Sequence, residues 1–206
     1  MSTGRRLGRS AAAALVGGAV AASPAGGVPA ERQLAVATFA AGCFWCAESD
    51  FEHVPGVVDA VSGYTGGRVA DPSYEQVSAG GTGHREAVHV MYDPRRVSYP
   101  QLLDVFWRNV DPLDAGGQFC DRGAQYTSAI FVANDGERRQ AEASRRAVEA
   151  SGRLRGRIAT AILPAGPFYR AEESHQAYAR KHPIRYRFYR TACGRDRRLR
   201  QLWGSR

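Results

Sequence analysis

Apolar and polar positions divide the chain after residue 33 into short alternating segments. Gln33–Ala41 is apolar and closes at Gly42, the pattern of a buried strand. Phe44, Ala47, Phe51 and Val54 then recur at three- and four-residue steps, which predicts an amphipathic helix ended by Pro55-Gly56. Val57–Tyr64 predicts a strand that stops at Gly66-Gly67. Residues 68–84 are rich in Gly, Ser, Thr and Pro and predict a long loop, a feature that in a compact domain usually carries function. From Glu86 to Tyr92, Glu86, Val88, Val90 and Tyr92 alternate with Ala87, His89 and Met91, as in a strand, and Ser98 with Gln101 is a capping box ahead of a helix bearing Leu102, Leu103, Phe106, Trp107 and Val110. A second long loop runs over 111–125, and Tyr126–Val132 predicts a strand. Asn134 and Glu137 open an Arg/Glu-rich helix that stops at Gly152. Arg157–Leu163 predicts another strand, and Ala171–Lys181 a helix stopped by His182-Pro183. Strands and helices thus mix in one domain of α/β or α+β type.

At 206 residues, 44% of them hydrophobic, the chain suits one catalytic-size domain and is too apolar for a mainly disordered one. The net charge of +8 is unevenly spread. Residues 1–30 carry +3 and residues 180–206 carry +9, so the body between them is mildly acidic at −4. Nothing between those ends resembles a nucleic-acid module, so no nucleic-acid partner is expected.

Arg5, Arg6 and Arg9, the small-residue apolar stretch Ala11–Ala22 and the sequence Val28-Pro29-Ala30 have the order of a secretory signal. The expectation is a cleaved signal peptide over 1–30, a catalytic domain over 31–190 and a basic C-terminal tail over 191–206 carrying Cys193. A periplasmic or secreted protein follows from that reading. A cytoplasmic or organellar one follows if 1–30 is not a signal. No stable membrane anchor is expected.

The chemistry concentrates in Gly42-Cys43-Phe44-Trp45-Cys46. Cys43 falls where a strand passes into a helix, beside the unpaired N–H groups and positive end of the first turn, which favour a thiolate nucleophile. Phe44 and Trp45 can wall an apolar pocket, and aromatic rings make favourable contacts with sulfur. The same residues also read as a buried cysteine beside core aromatics, so the pentapeptide alone leaves both open.

Further segments recur in order: Gly42-Cys43-Phe44-Trp45 with Glu48, Pro55-Gly56-Val57, Gly63-Tyr64-Thr65-Gly66-Gly67, Pro72-Ser73-Tyr74 and Thr82-Gly83-His84-Arg85-Glu86-Ala87. Tyr92-Asp93-Pro94, Phe106 to Pro112, Asp121-Arg122-Gly123-Ala124-Gln125-Tyr126, Phe168-Tyr169, Ala171-Glu172 and His175-Gln176 continue the series. Over Leu34–Pro183 the chain resembles the A-type peptide methionine sulfoxide reductases. The resemblance implies a two-layer α/β sandwich with a ferredoxin-like core and long functional loops. It also implies reduction of methionine S-sulfoxide, in proteins and free. By the same resemblance Cys43 is the nucleophile, Phe44 and Trp45 hold the S-methyl group, and Glu86 protonates the sulfoxide oxygen. Tyr74 and Tyr126 hydrogen-bond that oxygen, and Asp121 helps hold the site. The residue types suit the chemistry, because sulfoxide oxygen leaves only when protonated and a carboxyl can donate at neutral pH only when burial raises its pKa. The competing readings are Glu86 as a strand-end surface acid, Tyr74 and Tyr126 as core tyrosines and Asp121 as a turn former before Gly123.

Attack leaves Cys43 as a sulfenic acid, which a second thiol condenses to a disulfide. Cys193 is the first candidate for that thiol, Cys46 the second, and Cys120 lies beside Asp121. A structural Cys120–Cys193 bridge is the competing expectation. No metal or organic cofactor is implied. The electrons are expected from a thioredoxin-like dithiol, and the protein is expected to be a monomer. Two other readings compete: a thiol–disulfide oxidoreductase using Cys43-x-x-Cys46, and a structural zinc held by Cys43, Cys46, Cys120 and Cys193.

Overall fold

The computed structural model describes residues 1–4 and 33–204. The expected cleavage point near Glu31 and nearly all of the expected signal lie outside those residues.

Among the described residues eight strands and seven α-helices follow one another: β1 (Ala35–Ala40), α1 (Phe44–Glu52), β2 (Val57–Thr65), α2 (Tyr74–Ala79), β3 (Arg85–Tyr92), α3 (Tyr99–Arg108), β4 (Gly117–Gln118), β5 (Asp121–Arg122), β6 (Ala129–Val132), α4 (Asp135–Ala150), β7 (Ala161–Pro164), β8 (Phe168–Arg170), α5 (Tyr178–Lys181), α6 (Pro183–Ala192) and α7 (Arg195–Trp203). The main sheet has the order β7-β6-β1-β3-β2-β8, antiparallel except for the β6–β7 pair. Its four inner strands, β6-β1-β3-β2, with α1 and α3 as their connections, form the β-α-β-β-α-β arrangement of a ferredoxin-like core.

Strand alternation decides which residues meet the helices. Phe39 of β1 stacks on Phe51 of α1 at 5.0 Å and on Phe106 of α3 at 5.2 Å between ring centroids. Each fully buried ring of this kind contributes about 1.5–3 kcal/mol. The capping box at Ser98 and Gln101 closes the start of α3 as the sequence predicts. A smaller cluster of Ala40, Ala87, Ala129 and Phe131 gathers separately, flanked by Ala161, Leu163 and Phe168. In β2–β3 pairing Tyr64 lies opposite Glu86, so the sheet itself delivers Glu86 beside the start of α1.

The loop expected over 111–125 contains β4 and β5, the strand expected over Arg157–Leu163 is β7 and begins at Ala161, and three further segments differ from the sequence expectation. The single helix expected over Ala171–Lys181 is a 3-10 turn at Glu173–His175, a left-handed residue at Ala177 (φ +52°) and the short α5. Buried Gln176 explains the break: its side chain accepts from the Ser62 N–H and donates to the Ser62 and Ala171 carbonyls, while Glu48 accepts the Ala177 N–H. The long loop over 68–84 contains α2, opened by a second capping box at Ser73 and Gln76. The residues expected as a basic tail include α7, where Arg195 and Leu199 are buried. Arg195 donates to the carbonyls of Ala41 and Asn109. Among the described residues no helix is long and apolar enough to cross a membrane.

Candidate active site

Cys43 is the N-cap of α1, and its carbonyl accepts the N–H groups of Cys46 and Ala47. Gly42 makes the turn at φ +79°, where an added Cβ would stand 2.6 Å from Gln118 Cβ. That position needs glycine for both the left-handed backbone and the space. The turn sets Cys43 at the floor of a cavity of about 70 Å³ lined by Cys43, Phe44, Trp45, Tyr74, Glu86, Asp121, Tyr126 and Tyr189. The structure therefore brings together the expected Cys43, Phe44, Trp45, Tyr74, Glu86, Asp121 and Tyr126. Cys193 does not line this cavity. It is bonded to Cys120 just outside, while Cys43 and Cys46 are free and buried.

Glu86 is 2% exposed. Its Oε2 accepts the Phe44 N–H at 2.9 Å, one of the unpaired donors of the first helical turn. Burial is the largest influence on this carboxyl and pushes its pKa up to about 8, opposed by the Phe44 N–H and assisted by the nearby Asp121 and Cys46. The carboxyl is then protonated at neutral pH, the state a proton donor needs. Burial also raises Tyr74, to about 12, and raises Tyr126, so both remain phenols that can donate a hydrogen bond.

Cys43 departs from the sequence argument. The helix start favours a thiolate, but burial dominates, and with Cys46 and Glu86 nearby it pushes the Cys43 thiol well up; a hydrogen bond with Tyr189 acts the other way. The resting nucleophile is thus a thiol. Cys46 is lowered, first by its hydrogen bond with Cys43 and further by the positive charges of Arg195 and Arg190.

The apolar wall is built from rings. Trp45 lies flat against Tyr178 at 3.8 Å and 7°, and its Nε1 donates to His175 Nδ1 at 3.2 Å. His175 stacks on Tyr74 at 4.3 Å. Glu172 accepts from the Tyr64 hydroxyl and from the Tyr74 N–H, which fixes the start of α2 over the cavity. Tyr189 of α6 is the lining residue the sequence reading did not single out. Its hydroxyl donates to Asp121 Oδ2 at 2.6 Å, and it reaches Cys43 as well. The aromatic run Tyr186, Phe188, Tyr189 inside an Arg-rich helix was the signal available for it.

The four cysteines do not converge on one point suited to zinc. Two are joined to each other and two lie buried at the start of α1. A disulfide sulfur is not the thiolate that a structural zinc needs.

A cysteine at a helix start, a buried carboxyl and two phenols facing one small cavity with an aromatic wall, on a ferredoxin-like sheet, define a thiol-dependent oxidoreductase site. The family model described as peptide methionine sulfoxide reductase matches residues 35–206. The MsrA reductase of Bacillus licheniformis is 50% identical over 171 residues, spanning 83% of this chain and 94% of that protein. Among solved structures, reduced Mxr1 from Saccharomyces cerevisiae superposes with a TM-score of 0.69 at 32% identity, over 76% of this chain and 89% of that one. The same yeast protein in complex with Trx2 gives 0.50 at 25% identity, over 74% and 88%. The chain belongs to the peptide methionine sulfoxide reductase family, in its A branch, and is an oxidoreductase that reduces methionine sulfoxide.

Proposed function

We propose that Cys43 attacks the sulfur of methionine S-sulfoxide while Glu86 gives its proton to the departing oxygen. The observation that carries this reading is the buried Glu86 carboxyl, its pKa raised by that burial, in the same small cavity as the Cys43 thiol. The S-methyl group rests on Phe44 and Trp45, where ring faces and edges attract sulfur. Tyr74 and Tyr126 donate hydrogen bonds to the sulfoxide oxygen without adding charge. Asp121 holds the Tyr189 hydroxyl, and Tyr189 in turn contacts Cys43. Methionine leaves, and Cys43 becomes a sulfenic acid.

Once the Cys120–Cys193 bond is reduced, the freed Cys193 thiol condenses with that sulfenic acid to a disulfide and water, and a thioredoxin-like dithiol restores the thiols. The yeast relative solved with Trx2 supports this class of reductant. One observation favours a second reading of the condensation: Cys46 is the thiol hydrogen-bonded to Cys43. A peptide map after one equivalent of sulfoxide separates the two by whether Cys43–Cys46 forms first.

Oxidised methionine in proteins and free methionine sulfoxide are the substrates, and the protein works as a monomer in an oxidising compartment reached through residues 1–30. The basic start and small-residue stretch of the sequence support export. N-terminal sequencing of the mature protein tests it, and retention of Ser2 contradicts it.

The test of the reaction is turnover of resolved S- and R-methionine sulfoxide with dithiothreitol. Reduction of the S-epimer alone is the expected result. Reduction of neither, with acceleration of insulin reduction, would move the chain to disulfide exchange.

A further inference from the structure

We propose that the reduced thiols of Cys120 and Cys193, together with the Asp121 carboxylate, form a binding site for a zinc ion, which the Cys120–Cys193 bond closes when it forms. The site is separate from the attack on the sulfoxide, so the proposal does not rest on the reductase reading.

The three groups come from two elements that meet only in the fold. Cys120 is at the tip of the β4–β5 hairpin, Asp121 opens β5, and Cys193 caps the end of α6. One ligand atom from each, two sulfurs and a carboxylate oxygen, lie within 4.8 Å of one another. The carboxylate stands between the sulfurs. Cys120 Sγ is 3.8 Å from Asp121 Oδ1, and Cys193 Sγ is 3.9 Å from Oδ2. Bonds of about 2.3 Å to sulfur and about 2.1 Å to oxygen put the sulfur and oxygen ligands of a tetrahedral zinc about 3.6 Å apart, and two sulfurs about 3.8 Å apart. Both sulfur–oxygen distances are already within a few tenths of an ångström of that geometry. The sulfurs take up the remaining separation once their bond is opened.

Two thiolates and a carboxylate leave the fourth position to water, and exposed Cys120 gives the ion its way in. Thiolate ligands select zinc over magnesium and calcium, which take oxygen ligands. Cys43 and Cys46 are buried at the start of α1 and stand outside the set.

The surroundings hold the ligands in place. The Tyr189 hydroxyl donates to Asp121 Oδ2 at 2.6 Å and leaves Oδ1 free for the ion. The Cys120 N–H donates to Cys193 Sγ at 3.1 Å. Hydrogen bonds of this kind orient the ligands of a metal site. The buried Gln118 side chain accepts the Asp111 N–H and donates to the carbonyls of Asp111 and Gly117, which anchors the hairpin. Arg195, two residues beyond Cys193, is tied to the Ala41 and Asn109 carbonyls and covers the Phe119 ring at 4.5 Å. Hairpin and helix are thus docked by contacts other than the sulfur–sulfur bond, and the ligands stay together when it opens.

The bond and the ion exclude each other, because a sulfur in a disulfide lacks the charge that holds zinc. A peroxide supplies the change of state. Two thiolates, one hydrogen peroxide and two protons give the disulfide and two waters, and the zinc ion leaves for solvent. Occupancy of the site therefore follows the redox state of the outer pair.

The test uses the untagged full chain, reduced with a phosphine, desalted without oxygen, mixed with excess zinc chloride and passed through a second desalting column. Zinc is then counted by mass spectrometry of the elements. About one zinc per chain is expected in the reduced protein and in Cys43→Ser/Cys46→Ser, and none in Cys120→Ser or after peroxide has closed the bond. Tyr189→Phe should bind zinc at least about tenfold more weakly in competition with a chromophoric chelator, from the loss of a hydrogen bond to the ligating carboxylate. A reduced chain that retains no zinc overturns the proposal. So does zinc that Cys120→Ser keeps and Cys43→Ser/Cys46→Ser loses, which places the ion at the inner pair. Equal zinc before and after peroxide, with the bond mapped as closed, overturns it as well.

Discussion

Replacing Glu86 by Gln keeps the shape of the side chain and its acceptor for the Phe44 N–H, now at 2.9 Å from Oε2, but removes the acidic proton. A positioned general acid contributes about 10²–10⁴ in rate, equivalent to about 3–5 kcal/mol of barrier. Single-turnover methionine release, measured by rapid quench, should fall by that factor. The pH profile gives a sharper readout. With the carboxyl near pKa 8, wild-type release should decline above that pH as the donor ionises, and the Gln variant should lose this limb. Stability should move the opposite way. The folded carboxyl holds a proton that an unfolded one, near 4.5, has released at pH 7, so folding must take a proton up. Stability is therefore lost as pH rises from about 4.5 to about 8. At about 1.4 kcal/mol per unit, the cost at pH 7 is on the order of 3 kcal/mol, as an upper bound. Urea denaturation should show Glu86→Gln more stable than wild type at pH 7 and equal to it near pH 4. Release within about fivefold of wild type, with the alkaline limb intact, would refute the assignment of Glu86 as the acid.

Three further substitutions probe the frame around it. Gly42→Ala places a Cβ 2.6 Å from Gln118 Cβ on a backbone at φ +79°, and should cost about 1–3 kcal/mol in thermal unfolding; an unchanged Tm would contradict the tight turn. Trp45→Ala removes the wall stacked on Tyr178 and should raise KM for the sulfoxide about three- to tenfold, from the loss of a sulfur–aromatic contact; a change in kcat alone would speak against that role. Arg195→Met leaves the Ala41 and Asn109 carbonyls without their donor and should destabilise by about 2–5 kcal/mol, while a variant of wild-type stability would show that α7 is not anchored there.

Much of this arrangement was legible in the chain because its signals are local. The Phe44–Val54 periodicity marked α1, and Ser98 with Gln101 marked the start of α3. The ordered segments from Gly42 to Gln176 named every residue lining the cavity except Tyr189. What escaped depends on contacts distant in sequence. Gln176 reaches Ser62 and Glu48 reaches Ala177, so tertiary hydrogen bonds break a helix that local periodicity alone predicts. Tyr189 lies beyond Pro183, where the recognisable segments end, and only the packing of α6 brings it to Asp121. The Cys43 thiol shows a balance of magnitudes that position could not decide: the helix start favours ionisation, yet burial among Phe44, Glu86 and Cys46 outweighs it.

The central claim is that Cys43 takes the oxygen's oxidation state from the substrate. A variant with Cys46→Ser, Cys120→Ser and Cys193→Ser leaves Cys43 as the lone thiol, and one equivalent of S-methionine sulfoxide in the presence of a sulfenic-acid-trapping diketone is the direct measurement. One methionine released per chain, with the trap mapped by mass spectrometry to Cys43, is the predicted result. Methionine released from a folded sample with Cys43 still a free thiol would contradict the account.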